Sequence, residues 1–137
     1  MIQRIMCVDM GEKGIGIAVS DLLGITAQGV ETYTRKGEND AQYIADKAKE
    51  LGASLIVAGL PLNMNGTEGP AVEKVRAFMS EVEELGVKVA YQDERMTTMS
   101  AERTLIEADM SREKRRKVID KVAAVYILRG YLDTHSV

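Results

Sequence analysis

Apolar and polar positions alternate from the start of the chain. In Ile5-Met6-Cys7-Val8-Asp9-Met10-Gly11, the side chains of Ile5, Cys7 and Asp9 share one side, and those of Met6, Val8 and Met10 the other, because a strand has a period of two. Both sides are apolar as far as Asp9. This predicts a central strand, covered on both faces, that ends in a carboxylate. Residues 14–20 repeat the period, with Ile15, Ile17 and Val19 set against the small Gly16, Ala18 and Ser20. The short link Gly11-Glu12-Lys13 predicts a hairpin. A third strand over 27–34 completes a meander.

The period then lengthens. Asn39 is placed to cap a helix, with Gln42 three residues on as a capping box. Ile44, Ala48 and Leu51 form its stripe, and Gly52 ends it. Residues 54–59 are nearly all apolar and predict a buried strand. Turn formers fill Leu60 to Gly69, and Pro70 fits the first position of a second helix. That helix carries Val72, Val75, Met79, Val82 and Leu85 on one stripe, and Gly86 stops it. Residues 87–92 give a fifth strand. Thr97 or Thr98 caps a helix running through Ala108. A polar stretch, Asp109 to Lys117, precedes a last helix that reaches about Asp133 along Val118, Val122, Val125, Leu128 and Leu132. The order β-β-β-α-β-α-β-α-α predicts an α/β fold. Its sheet is mixed and five-stranded, three antiparallel strands followed by parallel ones, with helices on its faces.

A length of 137 residues suits one domain over 1–137. Cys7 is the single cysteine and His135 the single histidine, which argues against a disulfide framework, a zinc knuckle and a histidine-based triad. No apolar run approaches the ~20 residues of a membrane span. The opening residues lack a signal-peptide pattern, so a cytoplasmic location and no membrane partner are expected. The net charge of −3 neither predicts nor excludes a nucleic-acid partner. One Phe, five Tyr and no Trp argue against a stacking platform for single strands.

The acids stand out by position. Asp9 ends the first strand, Asp93 and Glu94 end the fifth, and Asp120 lies near the start of the last helix. Ligands of open sheets gather outside strand ends. Three acids meeting there would repel by ~4 kcal/mol per pair at 4 Å and an effective dielectric of 20. Magnesium or manganese would relieve this through hard oxygen ligands, and two such ions can activate water for phosphodiester cleavage. Spacing alone does not separate this from a plainer reading, in which one acid caps, one pairs with Arg95 and one favours a helix N-terminus. Arg112, Lys114, Arg115, Arg116 and Lys117 directly precede Asp120. They form either a solvated face or a surface that steers a polyanion. Asn63, Asn65, Gly66 and Thr67 offer donors to phosphate or simply make a turn.

Four blocks, in order, resemble the YqgF/RuvX family of Holliday junction resolvase-like nucleases. They are Asp9 to Asp21, Gly59 to Thr67, Asp93-Glu94-Arg95-Met96-Thr97-Thr98, and Asp120-Lys121-Val122-Ala123-Ala124 followed by Ile127-Leu128. The resemblance spans essentially the whole chain. It implies a ribonuclease-H-like fold and a metal-dependent nuclease, with Asp9, Glu94 and Asp120 as catalytic ligands of two Mg²⁺ or Mn²⁺ ions. It further implies nucleic acid as partner, either the 5′ end of pre-16S ribosomal RNA or, by older analogy, a four-way DNA junction. Junction cleavage would call for a two-fold homodimer. Many members carry Arg or a polar residue where this chain has Gly14, which leaves Lys13 to supply that phosphate contact. Arg95 and the basic run would hold the backbone. Within the pair Asp93-Glu94, alternation sends the two to opposite sides, and Glu94 has the longer reach. Two other functions compete. The hairpin also resembles the first phosphate loop of actin-like and sugar-kinase folds, which would make the chain an ATPase half. A non-catalytic RNA- or ribosome-binding module would keep the fold without hydrolysis.

Overall fold

The opening strand sits at the centre of the sheet, with an apolar layer on each side. The structure, a computed structural model, describes residues 4–11, 13–63, 65–93 and 112–135; over 112–120 and at 135 it describes the helix without its side chains. The elements run β1 (Arg4–Met10), β2 (Gly14–Ser20), β3 (Ala27–Thr34), α1 (Asp40–Leu51), β4 (Ala53–Leu60), α2 (Pro70–Glu84), β5 (Lys88–Asp93) and α3 (Arg112–His135). The helix expected from Thr97 or Thr98 to Ala108 lies outside the described residues.

Among the described residues the strands form one sheet in the order β3-β2-β1-β4-β5. β1 pairs antiparallel with β2 and parallel with β4. β3 extends the antiparallel side and β5 the parallel side. This is the mixed sheet that the order of elements predicts. The period of two decides what covers each face. Met6, Val8, Ile15, Ile17, Ile56 and Ala58 pack under Ile44, Ala48, Val72, Val75, Met79 and Val82 of α1 and α2. Cys7, Ala18 and Val57 pack on the other face, under Ala124, Ile127, Leu128 and Leu132 of α3. Small residues on that second face let α3 approach closely. At Gly29 of β3 a Cβ would meet Lys121 Cγ at 2.8 Å.

Two local expectations give way. Asn39 stands at the N-cap of α1 in the left-handed region (φ 61°), with no side-chain cap hydrogen bond, and Gln42 Nε2 donates instead to Asp46 Oδ1 at 2.8 Å. The capping box therefore does not form. Asp40 takes over the role of holding the entry to the helix. Its carboxylate is 6% exposed and accepts from the Lys36 N–H (3.0 Å), the Gly37 N–H (3.1 Å) and the Tyr33 hydroxyl (2.7 Å). Burial pushes this carboxyl up, but those three donors and nearby Arg35 outweigh burial and hold it below the ordinary carboxylate range. The same contact with Asp40, helped by burial, raises the Tyr33 phenol to about 12. The second difference is at the last helix. It begins at Arg112, so the basic run rides its first turns rather than preceding it. Arg, Lys and Glu are good helix formers, and an exposed helix start tolerates an unbroken polar run.

Candidate active site at the end of the central strand

Asp9 is the last residue but one of β1, on the face that α3 covers. Its side follows from Cys7, two residues earlier, which is fully buried in the α3 layer. Asp9 itself is half-buried. Across β2 it stands opposite Gly16, and Gly16 stands opposite Thr32 of β3. One residue beyond the Val8–Ala58 pair of β1 and β4 comes Gly59, which pairs in turn with Gln92 of β5. Asp9 is thus flanked on both neighbouring strands by glycine. Side chains at 16 and 59 would share its face, about 5 Å away. The row lies toward the C-terminal ends of β1, β4 and β5.

Alternation separates Gln92 from Asp93. Ala90 belongs to the α3 layer and Tyr91 to the opposite one. Gln92 shares the side of Ala90: its Nε2 comes within 3.3 Å of where a Cβ on Gly130 of α3 would sit. Asp93 then shares the side of Tyr91, away from Asp9. Glu94 and Arg95 lie outside the described residues. Asp120 lies on the described helix, one turn before Ala124. Ala124 is fully buried in the same layer as Cys7, so position 120 falls on the stripe of α3 that faces the sheet. Its neighbour Lys121 lies against Gly29, which is in register with Ala18 and Cys7. Among the described residues no three of His, Cys, Asp and Glu gather at metal-binding distance; of Asp9, Glu94 and Asp120, Asp9 alone has a described side chain.

Lys13 is exposed on the turn after β1. The turn is closed by Gly11 N–H to the Gly14 carbonyl at 2.8 Å. Asn63 and Asn65 lie on the loop after β4, at the same end of the sheet as Asp9. Part of their hydrogen-bonding capacity serves the loop itself. Asn63 Nδ2 donates to Thr67 Oγ1 at 3.0 Å, and Asn65 Oδ1 accepts from the Thr67 N–H at 3.1 Å and its hydroxyl at 2.6 Å. Arg76 of α2 pins the same loop by a bidentate contact with Glu68 (2.9 and 3.0 Å) while lying 4.8 Å over the Tyr91 ring. Arg112, Lys114, Arg115, Arg116 and Lys117 occupy the first turns of α3, just before Asp120. Sequence reasoning missed Gln92 and Thr32, the polar members of the Asp9 row. Period-two counting on β5 would have found Gln92, whereas Thr32 needs the cross-strand register.

A family model described as "RuvX: Holliday junction resolvase" matches residues 3–134. A Clostridioides difficile protein named "Putative pre-16S rRNA nuclease" is 55% identical over 132 residues, covering 95% of this chain and 94% of its own. Proteins of the same name from Clostridium kluyveri and Clostridium botulinum are 51% and 50% identical; each alignment covers 97% of this chain and 98% of the relative. Among solved structures, Thermus thermophilus RuvC in complex with a Holliday junction substrate superposes with a TM-score of 0.57 at 13% identity, covering 98% of this chain and 97% of that one. A second structure of Thermus thermophilus RuvC gives 0.56 at 12%, covering 96% and 95%. The RuvC likeness shows the ribonuclease-H-like fold, and the sequence matches along nearly the whole length show that the chain belongs to the RuvX family of resolvase-like nucleases.

Proposed function

We propose that the chain is a single-domain, cytoplasmic, metal-dependent endonuclease that cleaves a phosphodiester at the 5′ side of pre-16S ribosomal RNA. The observation that carries this reading is Asp9, half-buried near the end of the central strand between Gly16 and Gly59, in a chain matched over 95% of its length by a relative named as a pre-16S rRNA nuclease. The donor set fits a hard cation: Asp9, Glu94 and Asp120 offer only carboxylate oxygens, which suit Mg²⁺ or Mn²⁺. When bound, a pair of such ions supplies positive charge at the scissile phosphate and lowers the pKa of water there. The remaining work falls to the chain. Asp9 lies on a strand paired on both sides, which holds its backbone in place. Asp93 shares the side of Tyr91, away from Asp9, which speaks against Asp93 as ligand and leaves Glu94 of the pair. Lys13, Arg95, Arg112, Lys114, Arg115, Arg116 and Lys117 hold the phosphate backbone, with Asn63 and Asn65 at the rim.

The test offers purified chain a precursor 16S RNA and, separately, a synthetic four-way DNA junction, each with and without Mn²⁺. The expected result is Mn²⁺-dependent cutting of the RNA. Asp9→Asn and Glu94→Gln should each lower the rate at least ~10³-fold, as losing about 4 kcal/mol of transition-state stabilisation would. Asp93→Asn should stay within about tenfold of the parent. Undiminished cutting by Asp9→Asn in a clean preparation defeats the proposal. Preferential cutting of the junction supports the second reading, favoured by the description of the family, in which a two-fold dimer acts on DNA. Binding without turnover would leave a non-catalytic module, and tight ATP binding an ATPase half.

A further inference from the structure

β1 runs from Asp9 through Met10 directly into the turn from Gly11 to Gly14. Whatever holds that turn therefore bears on the backbone that carries Asp9. Two carbonyls of that turn accept from one residue outside it. The Arg35 N–H donates to Lys13 O at 2.8 Å, and Arg35 Nη1 donates to Gly11 O at 3.0 Å. The guanidinium is itself held. Its Nε lies 3.9 Å from buried Asp40, and its Cζ lies 5.6 Å from the centre of the Phe78 ring in α2. Asp40 is fixed in turn by Tyr33, Lys36 and Gly37. A chain of contacts therefore runs from α2 and the start of α1, through Arg35, to the peptide two residues beyond Asp9. A cavity of about 410 Å³ lined by Arg35, Asp40, Phe78 and Glu81, among others, opens beside it, so a shorter side chain at 35 admits water rather than leaving a dry void.

We propose that Arg35 is the positioning residue of the site: by clamping the Gly11–Gly14 turn it sets the place of the Asp9 carboxylate, and with it the affinity for the divalent cation. This inference rests on the nuclease reading for its role in cleavage. Arg35 touches neither substrate nor ion and acts through the Gly11 peptide. A merely structural role would lower stability everywhere and leave metal affinity alone.

The experiment compares Arg35→Met and Arg35→Lys with the parent and with Lys47→Met. Lys47→Met removes a cation of α1 that pairs with Glu31 and Glu50 and not with the turn. Three quantities are read: hydrogen exchange of the Gly11 amide, Mn²⁺ binding by calorimetry, and kcat against KM for the cleaved substrate. In Arg35→Met, exchange at Gly11 should quicken about tenfold relative to the Ile56 and Ala124 amides, as loss of one supporting hydrogen bond implies. Mn²⁺ affinity should fall about tenfold, and kcat by about tenfold to a hundredfold with KM unchanged, since displacement of a catalytic group by a fraction of an ångström acts on the rate. Arg35→Lys, which keeps a cation but not the fork, should fall between. Lys47→Met should alter none of the three. Equal Gly11 exchange and equal Mn²⁺ affinity in Arg35→Met and Lys47→Met would overturn the inference, as would a loosened turn with unchanged metal affinity. A parent chain that binds Mn²⁺ yet cuts nothing defeats the nuclease reading alone, because exchange and calorimetry still judge Arg35. A parent that binds no Mn²⁺ defeats both.

Discussion

Asp40→Asn tests the electrostatic anchor at the start of α1. The carboxylate accepts from two backbone N–H groups and a phenol, and faces the Arg35 guanidinium. An amide of the same shape can keep the Tyr33 and Lys36 contacts through Oδ1. Its NH₂ then points at the Gly37 N–H and at Arg35, which puts donor against donor. Hydrogen bonds to a charged acceptor contribute ~1.5–3 kcal/mol each, and breaking a buried pair costs ~3–5 kcal/mol. Part of this is offset because an uncharged amide loses less on leaving water. The expected net loss is therefore about 2–4 kcal/mol, or a fall of roughly 6–16 °C in Tm for a domain of this size. The pH dependence carries a sign. The folded pKa of Asp40 lies below its unfolded value, so its contribution is present above about pH 4 and is lost as pH falls through the folded pKa. Urea unfolding of both proteins at pH 7 and pH 3 reads the effect, the other carboxylates cancelling in the difference. The gap between parent and variant should shrink in acid. A gap below ~0.5 kcal/mol at pH 7, or one of equal size at both pH values, would refute the reasoning.

Tyr33 supplies the alkaline counterpart: with its phenol raised to about 12, stability should decline as pH climbs from about 10, the unfolded value, and Tyr33→Phe should flatten that decline in unfolding curves. Gly29→Ala places a Cβ against Lys121 and should cost ~1–2 kcal/mol by overpacking; Lys121→Ala in the same chain should recover most of it, and an additive double mutant would disprove the contact. Gly59→Ala adds a methyl beside Asp9 and should weaken Mn²⁺ binding about tenfold by calorimetry while the circular dichroism spectrum holds, on the scale of ~1.4 kcal/mol.

The sheet was legible because β1 and β2 obey the period of two over nearly their whole length; the register shift of β3 at Val30 was not. Met6 and Val8 against Ile5 and Cys7 placed β1 at the centre before any partner was known, and Asp9 followed onto the side of Cys7. The helical stripe of α2 was legible for the same reason, with Pro70 marking its start. Misreadings arose where the deciding contact is remote. Asn39 and Gln42 match a capping box locally, yet the partners of Asp40 include Tyr33 of β3 and Arg35 just after it, seven and five positions upstream. Arg35 carried no signal in the sequence, because its acceptor, Gly11 O, is 24 residues away. The start of α3 was set too late because a basic run reads equally as loop or as helix face. The glycine row beside Asp9 was half visible: the small face of β2 was apparent, but Gly59 joined it only through the parallel register of β1 and β4.

The strand order carries a consequence for synthesis. β1 leaves the ribosome before every other strand of the sheet, yet it occupies the middle of the finished sheet. Its hairpin partners follow at once, so the meander of β1, β2 and β3 can close from local contacts while the chain is still growing. The other edge of β1 must wait for Ala53–Leu60. During that interval the nascent chain presents an unpaired, apolar strand edge, and the emerging α1 is the first element able to shield the neighbouring face. A pause in translation placed between α1 and β4 would lengthen the most aggregation-prone stage of this protein's birth.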